Sequence, residues 1–406
     1  MNPRQTKQAL LFIFITIFID VVGLGIIIPV LPGLLEKMTG LEANEAAQWG
    51  GVLALVYAAM QFLFSPLLGS LSDRFGRRPV LLMSLLGFGL DYLLLGFAPT
   101  VGWLFLGRLV AGITGASFTV ASAYIADISP EDKREQNFGL IGAAFGLGFI
   151  AGPAIGGWLG SFGERIPFFV AAGLSLLNAL YGFLFIPESL PMENRRKFEW
   201  KRANPVGALV SLSRYPLVLR MGVAFFLINM AGQSLQSVWS FYTEYRLGWK
   251  PGMIGLSLAF VGIMVATVQG GLNRVLIPKL GSRLSILTGI AMYGLGMFIA
   301  GMANSSFWMF ACVVPLALGG LAGPTIQGIL SKKVGKDEQG ELQGFMTSVM
   351  SITAMLGPVL MSSLFAWFTD GTISTSLPGA PYFASVFFCV VAFVWMFYVL
   401  RKFKVE

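Results

Sequence analysis

The sequence predicts an all-α membrane protein of twelve transmembrane helices in two pseudo-symmetric six-helix halves. Three observations predict it. Of the 406 residues, 55% are hydrophobic and only 12% charged, and the mean hydropathy is +0.74, too apolar for a soluble globular domain. Apolar runs long enough to cross a bilayer, about 20 residues each, recur along the whole chain. A single offset of 205 superposes Gly76 on Gly281, Gly115 on Gly320, Gly139 on Gly344 and the pair Gly152-Pro153 on Gly357-Pro358, as an internal repeat would.

Apolar runs bounded by charge, Pro or Gly place helices near 8–30, 46–68, 78–97, 100–127, 137–160, 166–186, 215–240, 252–277, 283–302, 306–330, 342–367 and 381–400. The segment from Pro187 to Arg214 is the longest polar stretch and divides the helices six and six. Halves are therefore expected at 1–187 and 215–406, joined by a linker at 188–214. The linker's Trp200 and basic cluster could lie on an anionic leaflet, but a plain solvated linker suits them better.

Orientation follows from the basic residues. Arg4 and Lys7, Arg74 with Arg77 and Arg78, Lys133 and Arg134, the run from Arg195 to Arg220, Arg274 to Arg283, Lys332 to Lys336 and Arg401 to Lys404 all fall on one side. Lys37, Arg165, Arg246 and Lys250 fall on the other, so both termini are expected in the cytoplasm of a cell whose inner membrane holds the protein. The first apolar stretch is too long for a signal peptide, carries Asp20 and lacks a small-residue cleavage site, so it reads as a retained helix. The net charge of +8 is thus a matter of topology, and no nucleic-acid partner is expected.

The chain contains no His, which removes zinc hydrolase and Ser-His readings. No nucleophile and base pair stands out, no nucleotide-binding loop is present, and neither metal nor cofactor is expected. Cys312 and Cys389 sit in apolar runs as ordinary buried thiols.

Of the 20 acidic residues, 18 fall in loops or at span ends, leaving Asp20 and Asp91 within the membrane-spanning part. An ionised carboxylate in hydrocarbon is costly unless it faces water or a partner, so such groups mark proton or ion pathways. Asp20 lies midway along the first helix, with Gly23 and Gly25 allowing close approach and Pro29 and Pro32 loosening the outer end. Asp91 and Arg108 come toward the outer ends of consecutive antiparallel helices. A direct or water-bridged pair there would serve either structure or a proton switch.

The second half has no mid-membrane carboxylate. Its polar lining is amide: Asn229, Gln233 and Gln236 step along one helical face, with Gln269 and Gln327 on later helices. Interhelical hydrogen bonding explains these as well as substrate contact does. Trp239, Phe241 and Tyr242 follow directly, as a stacking wall or an interfacial aromatic belt.

After the second helix the sequence reads G-S-L-S-D-R-F-G-R-R-P-V-L-L at 69–82, which resembles the signature loop of the major facilitator superfamily. Asp73, Arg74, Arg77 and Arg78 then form a cytoplasmic gate, Asp73 pairing with a helix end and the arginines engaging acids across the half. The stretch G-L-G-F-I-A-G-P-A-I-G-G at 146–157 resembles that superfamily's antiporter motif, in which Gly148, Gly152, Gly156 and Gly157 permit tight helix contact and Pro153 shapes the helix. With L-D-Y-L-L-L-G-F at 90–97, G-R-L-V-A-G-I-T-G-A at 107–116 and the run 232–249, the chain is similar nearly end to end to the tetracycline/proton antiporter group.

The resemblance implies that Asp20, Asp91 and Arg108 couple protons. It implies that Asp73 and Arg77 are functional charges too, that Ser84 is a polar position of the third helix and that Gln233 and Gln269 match second-half polar positions; with Asp20, Gln61, Asn229, Gln236, Trp239, Tyr293 and Gln327 they make up the expected lining of the substrate path. Two positions depart from the group: Tyr293 stands where its members carry an Asp in helix nine, and Val265 where they carry a His in helix eight. Those departures count against a metal-chelated tetracycline as cargo. Pro278 stands where the second copy of the loop would repeat Asp73, so an asymmetric gate is expected.

The expected function is proton-coupled export of amphipathic small molecules by alternating access, by a monomer in the lipid bilayer. The alternatives are a proton-linked transporter of one metabolite and, less well supported, a non-transporting membrane sensor.

Overall fold

The computed structural model describes residues 3–115, 117–129, 134–195, 215–333, 339–370 and 376–403. The basic linker from Arg196 to Arg214, with Trp200, lies outside the described residues, as do Lys133, Lys336 and Lys404.

In chain order the helices are α1 (Pro3–Ile27), α2 (Leu31–Thr39), α3 (Ala43–Phe75), α4 (Arg77–Phe97), α5 (Val101–Thr114), α6 (Ser117–Ile128), α7 (Arg134–Gly160) and α8 (Ile166–Phe185). There follow α9 (Pro216–Ser237), α10 (Trp239–Leu247), α11 (Pro251–Thr267), α12 (Asn273–Met302), α13 (Ser306–Ala311), α14 (Val313–Leu318), α15 (Ala322–Lys333), α16 (Gln339–Trp367) and α17 (Ala380–Lys402). Among the described residues, 11 helical stretches are long and apolar enough to cross a membrane. One of them, Pro251–Met302, runs for 52 residues and turns back at Gly281, where φ is 73°. It therefore supplies two crossings and brings the count to the twelve expected. Gly76, at the same point of the first repeat, turns the chain between α3 and α4 with a φ of 107°, a conformation open to glycine and strained for other residues.

Several expected spans are broken. The fourth, expected unbroken over 100–127, is α5 and α6, separated at Gly115. The tenth, expected over 306–330, is α13, α14 and α15, with a tight 3-10 turn at Gly319–Leu321. The two breaks fall on Gly115 and Gly320, a pair already matched by the repeat offset. The first helix ends at Ile27, and α2 begins again with Pro32 in its first turn, where a missing N–H costs nothing. A π-helical turn at Val268–Leu272 joins α11 to α12.

The chain forms two compact units: Met1–Gly40 with Val56–Pro205 and Lys250–Ala259, and Leu41–Leu55 with Val206–Trp249 and Phe260–Glu406. The core of the first gathers Phe12, Ile13 and Ile17 of α1, Leu81 and Leu85 of α4, and Val120, Tyr124 and Ile125 of α6. That of the second gathers Val218 and Met221 of α9, Ile286 and Ile290 of α12, Ile326 and Leu330 of α15, and Met396 and Val399 of α17.

In the first unit α7 lies against α1 along its glycines. A Cβ on Gly152 would stand 2.9 Å from the Gly25 Cα, one on Gly148 would stand 2.8 Å from the Val21 Cβ, and one on Gly156 would strike the Ile26 backbone. Gly157 faces Gly255 in the same unit, again 2.9 Å from its Cα. Lipid gives no hydrophobic reward for pairing helices, so contact this close supplies the packing energy instead.

Candidate functional site

The deepest charges of the first unit lie together. Asp91 on α4 is 0% exposed and pairs with the Arg108 guanidinium of α5. The approach is possible because α5 carries Gly107 beside Arg108: a Cβ there would stand 2.7 Å from Asp91 Oδ1. Arg108 also lies over the Tyr57 ring of α3, 5.6 Å from its centroid. Tyr57 in turn accepts a hydrogen bond from Gln61 Nε2 at 3.1 Å, and the same amide donates to the Gly115 carbonyl at 3.3 Å. Gln61 therefore satisfies backbone freed by the break in the fourth span, as irregular backbone at membrane depth requires.

Asp20 on α1 is 7% exposed, and neither carboxylate oxygen has a hydrogen-bond partner among the described residues. The Ser117 side chain, on the first residue of α6, is its hydrogen-bonding neighbour, though the two do not meet full hydrogen-bond geometry. Asp20, Asp91 and Arg108 all act electrostatically on Tyr57 and on Tyr92, which joins the five groups into one cluster on four helices. Ser84 is fully buried and donates to the Val80 carbonyl of its own helix at 3.1 Å.

The signature loop forms a second network. Arg77 donates to Asp73 Oδ1 at 2.5 Å, to Ser72 Oγ at 2.7 Å and, through Nε, to Asp127 Oδ2 at 3.1 Å. The backbone N–H groups of Arg77 and Arg78 donate to Glu188 at 2.8 and 3.2 Å, so a carboxylate caps the N-terminus of α4. Ser189 Oγ donates to Asp127 at 3.0 Å, and the Tyr124 hydroxyl to the Pro187 carbonyl at 2.6 Å. Arg78 donates to the Phe183 carbonyl and lies over that residue's ring. Arg74 instead lies over Phe75, 5.0 Å from the ring centroid. Asp127 and Glu188, the acids that receive the loop, were not singled out from sequence, where they look like ordinary solvated charges at span ends.

In the second unit the expected polar positions divide. Gln233 is buried against Gly357, while Asn229 donates to the Phe225 carbonyl of its own helix at 2.8 Å. Tyr293 packs against Gly319 and reaches Gly232, and Gln269 stands beside Gly320. The structure thus brings Tyr293 and Gln269 to the break in the tenth span. Gln236 and Gln327 are exposed. Trp239 is 1% exposed and Phe241 and Tyr242 are buried with it. Tyr242 donates to the carbonyls of Ala300 and Ala303 and packs edge-on against Tyr382. These three aromatics form interior packing.

The sequence matches the Major Facilitator Superfamily over residues 13–285 and 272–405. The chain belongs to that superfamily. It is 40% identical to the class C tetracycline resistance protein of Escherichia coli, covering 89% of this chain and 91% of the relative. To the class E tetracycline resistance protein of the same organism it is 42% identical over 89% of this chain and 88% of the relative. Among solved structures, a bacterial homolog of the human lysosomal transporter Spinster, inward-facing and unoccupied, superposes with a TM-score of 0.81 at 17% identity, covering 100% of this chain and 98% of the other.

In the loop between the second and third spans Asp127 receives the Arg77 guanidinium, and Glu188 receives the backbone N–H groups of Arg77 and Arg78. Tyr57 and Tyr92 were also missed; the available signals were Tyr57 four residues before Gln61, one helical turn, and Tyr92 next to Asp91.

Proposed function

We propose that this major facilitator is a proton-coupled exporter of amphipathic drugs and similar small molecules, working by alternating access as a monomer in the inner membrane. The observation that carries the reading is the buried Asp20 carboxylate, which closes no full hydrogen bond among the described residues, grouped with the Asp91–Arg108 pair. A carboxylate kept without a hydrogen-bond partner at this depth is costly and suits a group that takes and releases a proton. The basic loops support an orientation with both termini in the cytoplasm.

In the proposed cycle Asp20 or Asp91 takes a proton from outside as substrate leaves, and returns it when facing the cytoplasm. Arg108 holds Asp91 while the carboxylate is charged. The loop network of Asp73, Arg74, Arg77 and Arg78 closes the cytoplasmic end, and the glycines at 148, 152, 156 and 157 with Pro153 let α7 move as a unit with α1. Gln61, Ser84, Asn229, Gln233, Gln236, Trp239, Gln269, Tyr293 and Gln327 are the proposed polar and aromatic lining, either directly or by shaping it. The relatives named for tetracycline resistance support a drug as cargo. Tyr293 and Val265 bring no ionised side chain to the second half, which favours metal-free amphipathic drugs over a metal chelate.

The test is a resistance panel in an efflux-deficient bacterial host, spanning tetracyclines, cationic dyes and other amphipathic drugs, with wild type beside Asp20→Asn at equal expression. Protection by wild type that disappears in the variant is expected. A wild type that protects against nothing would turn the reading toward a metabolite, and full protection by the variant would move coupling to Asp91.

A further inference from the structure

Several buried polar atoms of the first unit have no hydrogen-bond partner among the described residues, and they converge. Both oxygens of Asp20, Oδ1 of Asp91, Nε of Arg108 and the hydroxyl of Tyr92 are in this state. Unsatisfied buried groups are rare enough that each asks for a reason.

Tyr92 is the one whose position suggests the reason. It is 1% exposed and leaves α4 one residue after Asp91. Its hydroxyl points at α1, where a Cβ on Gly23 would collide with it. Gly23 is three residues from Asp20, so the two share a face of α1. The charged and titratable groups that act on Tyr92 are Asp91 on its own helix, Arg108 on α5, Asp20 on α1 and Tyr57 on α3. A phenol with no bond of its own among the described residues thus reaches α1 one helical turn from one acid, and leaves α4 next to another that has a cationic partner.

We propose that the Tyr92 hydroxyl is the link through which a proton passes between Asp20 and Asp91, so that two carboxylates on different helices load and unload together. The exchange balances. The O–H bond of protonated Asp20 breaks as its proton joins the Tyr92 oxygen, while the original phenol O–H breaks and its proton joins the Asp91 carboxylate. Tyr92 ends as a neutral phenol, Asp20 as a carboxylate and Asp91 as an acid released from Arg108; the reverse sequence empties Asp91. A single water in either gap performs the same transfer. Gly23 is required because any side chain there would push the hydroxyl off this line. Tyr92 is thus a proton relay within the antiport reading above, on which the proposal rests.

The experiment uses the full chain reconstituted in liposomes, with Tyr92→Phe beside wild type. The substitution removes one oxygen that makes no hydrogen bond, so a purely structural role predicts no change. The expected result is proton-driven ethidium efflux slowed about tenfold or more, with ethidium counterflow at equal pH held within about twofold. Equal slowing of both, or of neither, would overturn the link. A second arm needs no substrate: the infrared carbonyl band of protonated carboxylic acids is followed across pH in wild type, Asp91→Asn, Tyr92→Phe and the double variant, with Asp20→Asn identifying the Asp20 component. Asp91→Asn is expected to shift the Asp20 midpoint in the wild-type background, and to shift it by less than half as much in the Tyr92→Phe background. The same shift in both backgrounds would overturn the proposal. If wild type moves no ethidium or other drug of the panel, the antiport reading fails, and the infrared arm still decides the link.

Discussion

Gly76 in the first unit and Gly281 in the second turn the chain at the same point of the repeat, with φ of 107° and 73°. Around Gly76 stand Asp73, Arg77, Asp127 and Glu188 in one network. Around Gly281 an added Cβ would meet nothing within 4 Å, and the counterparts of Asp73 and Arg77 are Pro278 and Ser282. Deeper in, the repeat maps Asp91 and Arg108 onto Gly296 and Val313. Where the first unit has an ion pair, the second packs Gly296 against Leu316, whose Cγ an added Cβ would approach to 2.6 Å. The backbone path is thus held in common by glycines, while the substituents were free to diverge: paired charges on one side, close packing on the other.

The largest effects should come from breaking the deep contrast. Asp91→Asn or Arg108→Ala alone leaves a buried group unpaired and is expected to cost about 3–5 kcal/mol, read as a fall in apparent Tm in detergent. Removing both together should recover more than half of that loss; strictly additive losses would show that the pair is not a unit. Gly296→Ala, at the matching place in the second unit, should cost about 1–3 kcal/mol by overpacking alone and leave proton coupling intact.

At the loops the expected differences are smaller. Arg77→Ala strips two carboxylates and a hydroxyl of their donor and should destabilise by about 1–3 kcal/mol, with transport largely lost. Arg283 has an aromatic partner instead, lying 5.5 Å from the Phe397 centroid, so Arg283→Ala should cost about 0.5–1 kcal/mol and preserve transport. Gly281→Ala should cost about 1–2 kcal/mol for its backbone alone. Gly76→Ala should cost more, since the new methyl also strikes Glu188. Equal Tm shifts for the two alanines would mean that the loop network adds nothing to the turn.

The spans, the repeat and the Asp91–Arg108 pair were legible in the sequence because each rests on a periodic or costly feature: long apolar runs, glycines at one offset, charge at membrane depth. The breaks in the fourth and tenth spans were not. A residue such as Gly115 interrupts a helix only if something satisfies the freed carbonyl, and here that is Gln61, 54 positions away in sequence. Nor were Asp127 and Glu188 legible as receivers, because a carboxylate at a span end looks solvated until the fold brings Arg77 to it. The aromatic run after the seventh span has the composition of an interfacial belt; its burial depends on the end of α12, where the carbonyls of Ala300 and of Ala303 just beyond it take the Tyr242 hydroxyl.

The Asp73 carboxylate in the loop network is 43% exposed while its Arg77 partner is 11% exposed, so that pair lies within reach of dissolved ions. At physiological ionic strength charges are screened over about 8 Å, and raising the salt weakens the partly solvated contact first. The matching turn at Gly281 is set by backbone conformation and, among the described residues, has no such pair to screen. Ionic strength and the charge of the surrounding headgroups can therefore loosen one of the two repeats while leaving the other as it was, giving a protein built from a doubled plan an uneven response to the salt around it.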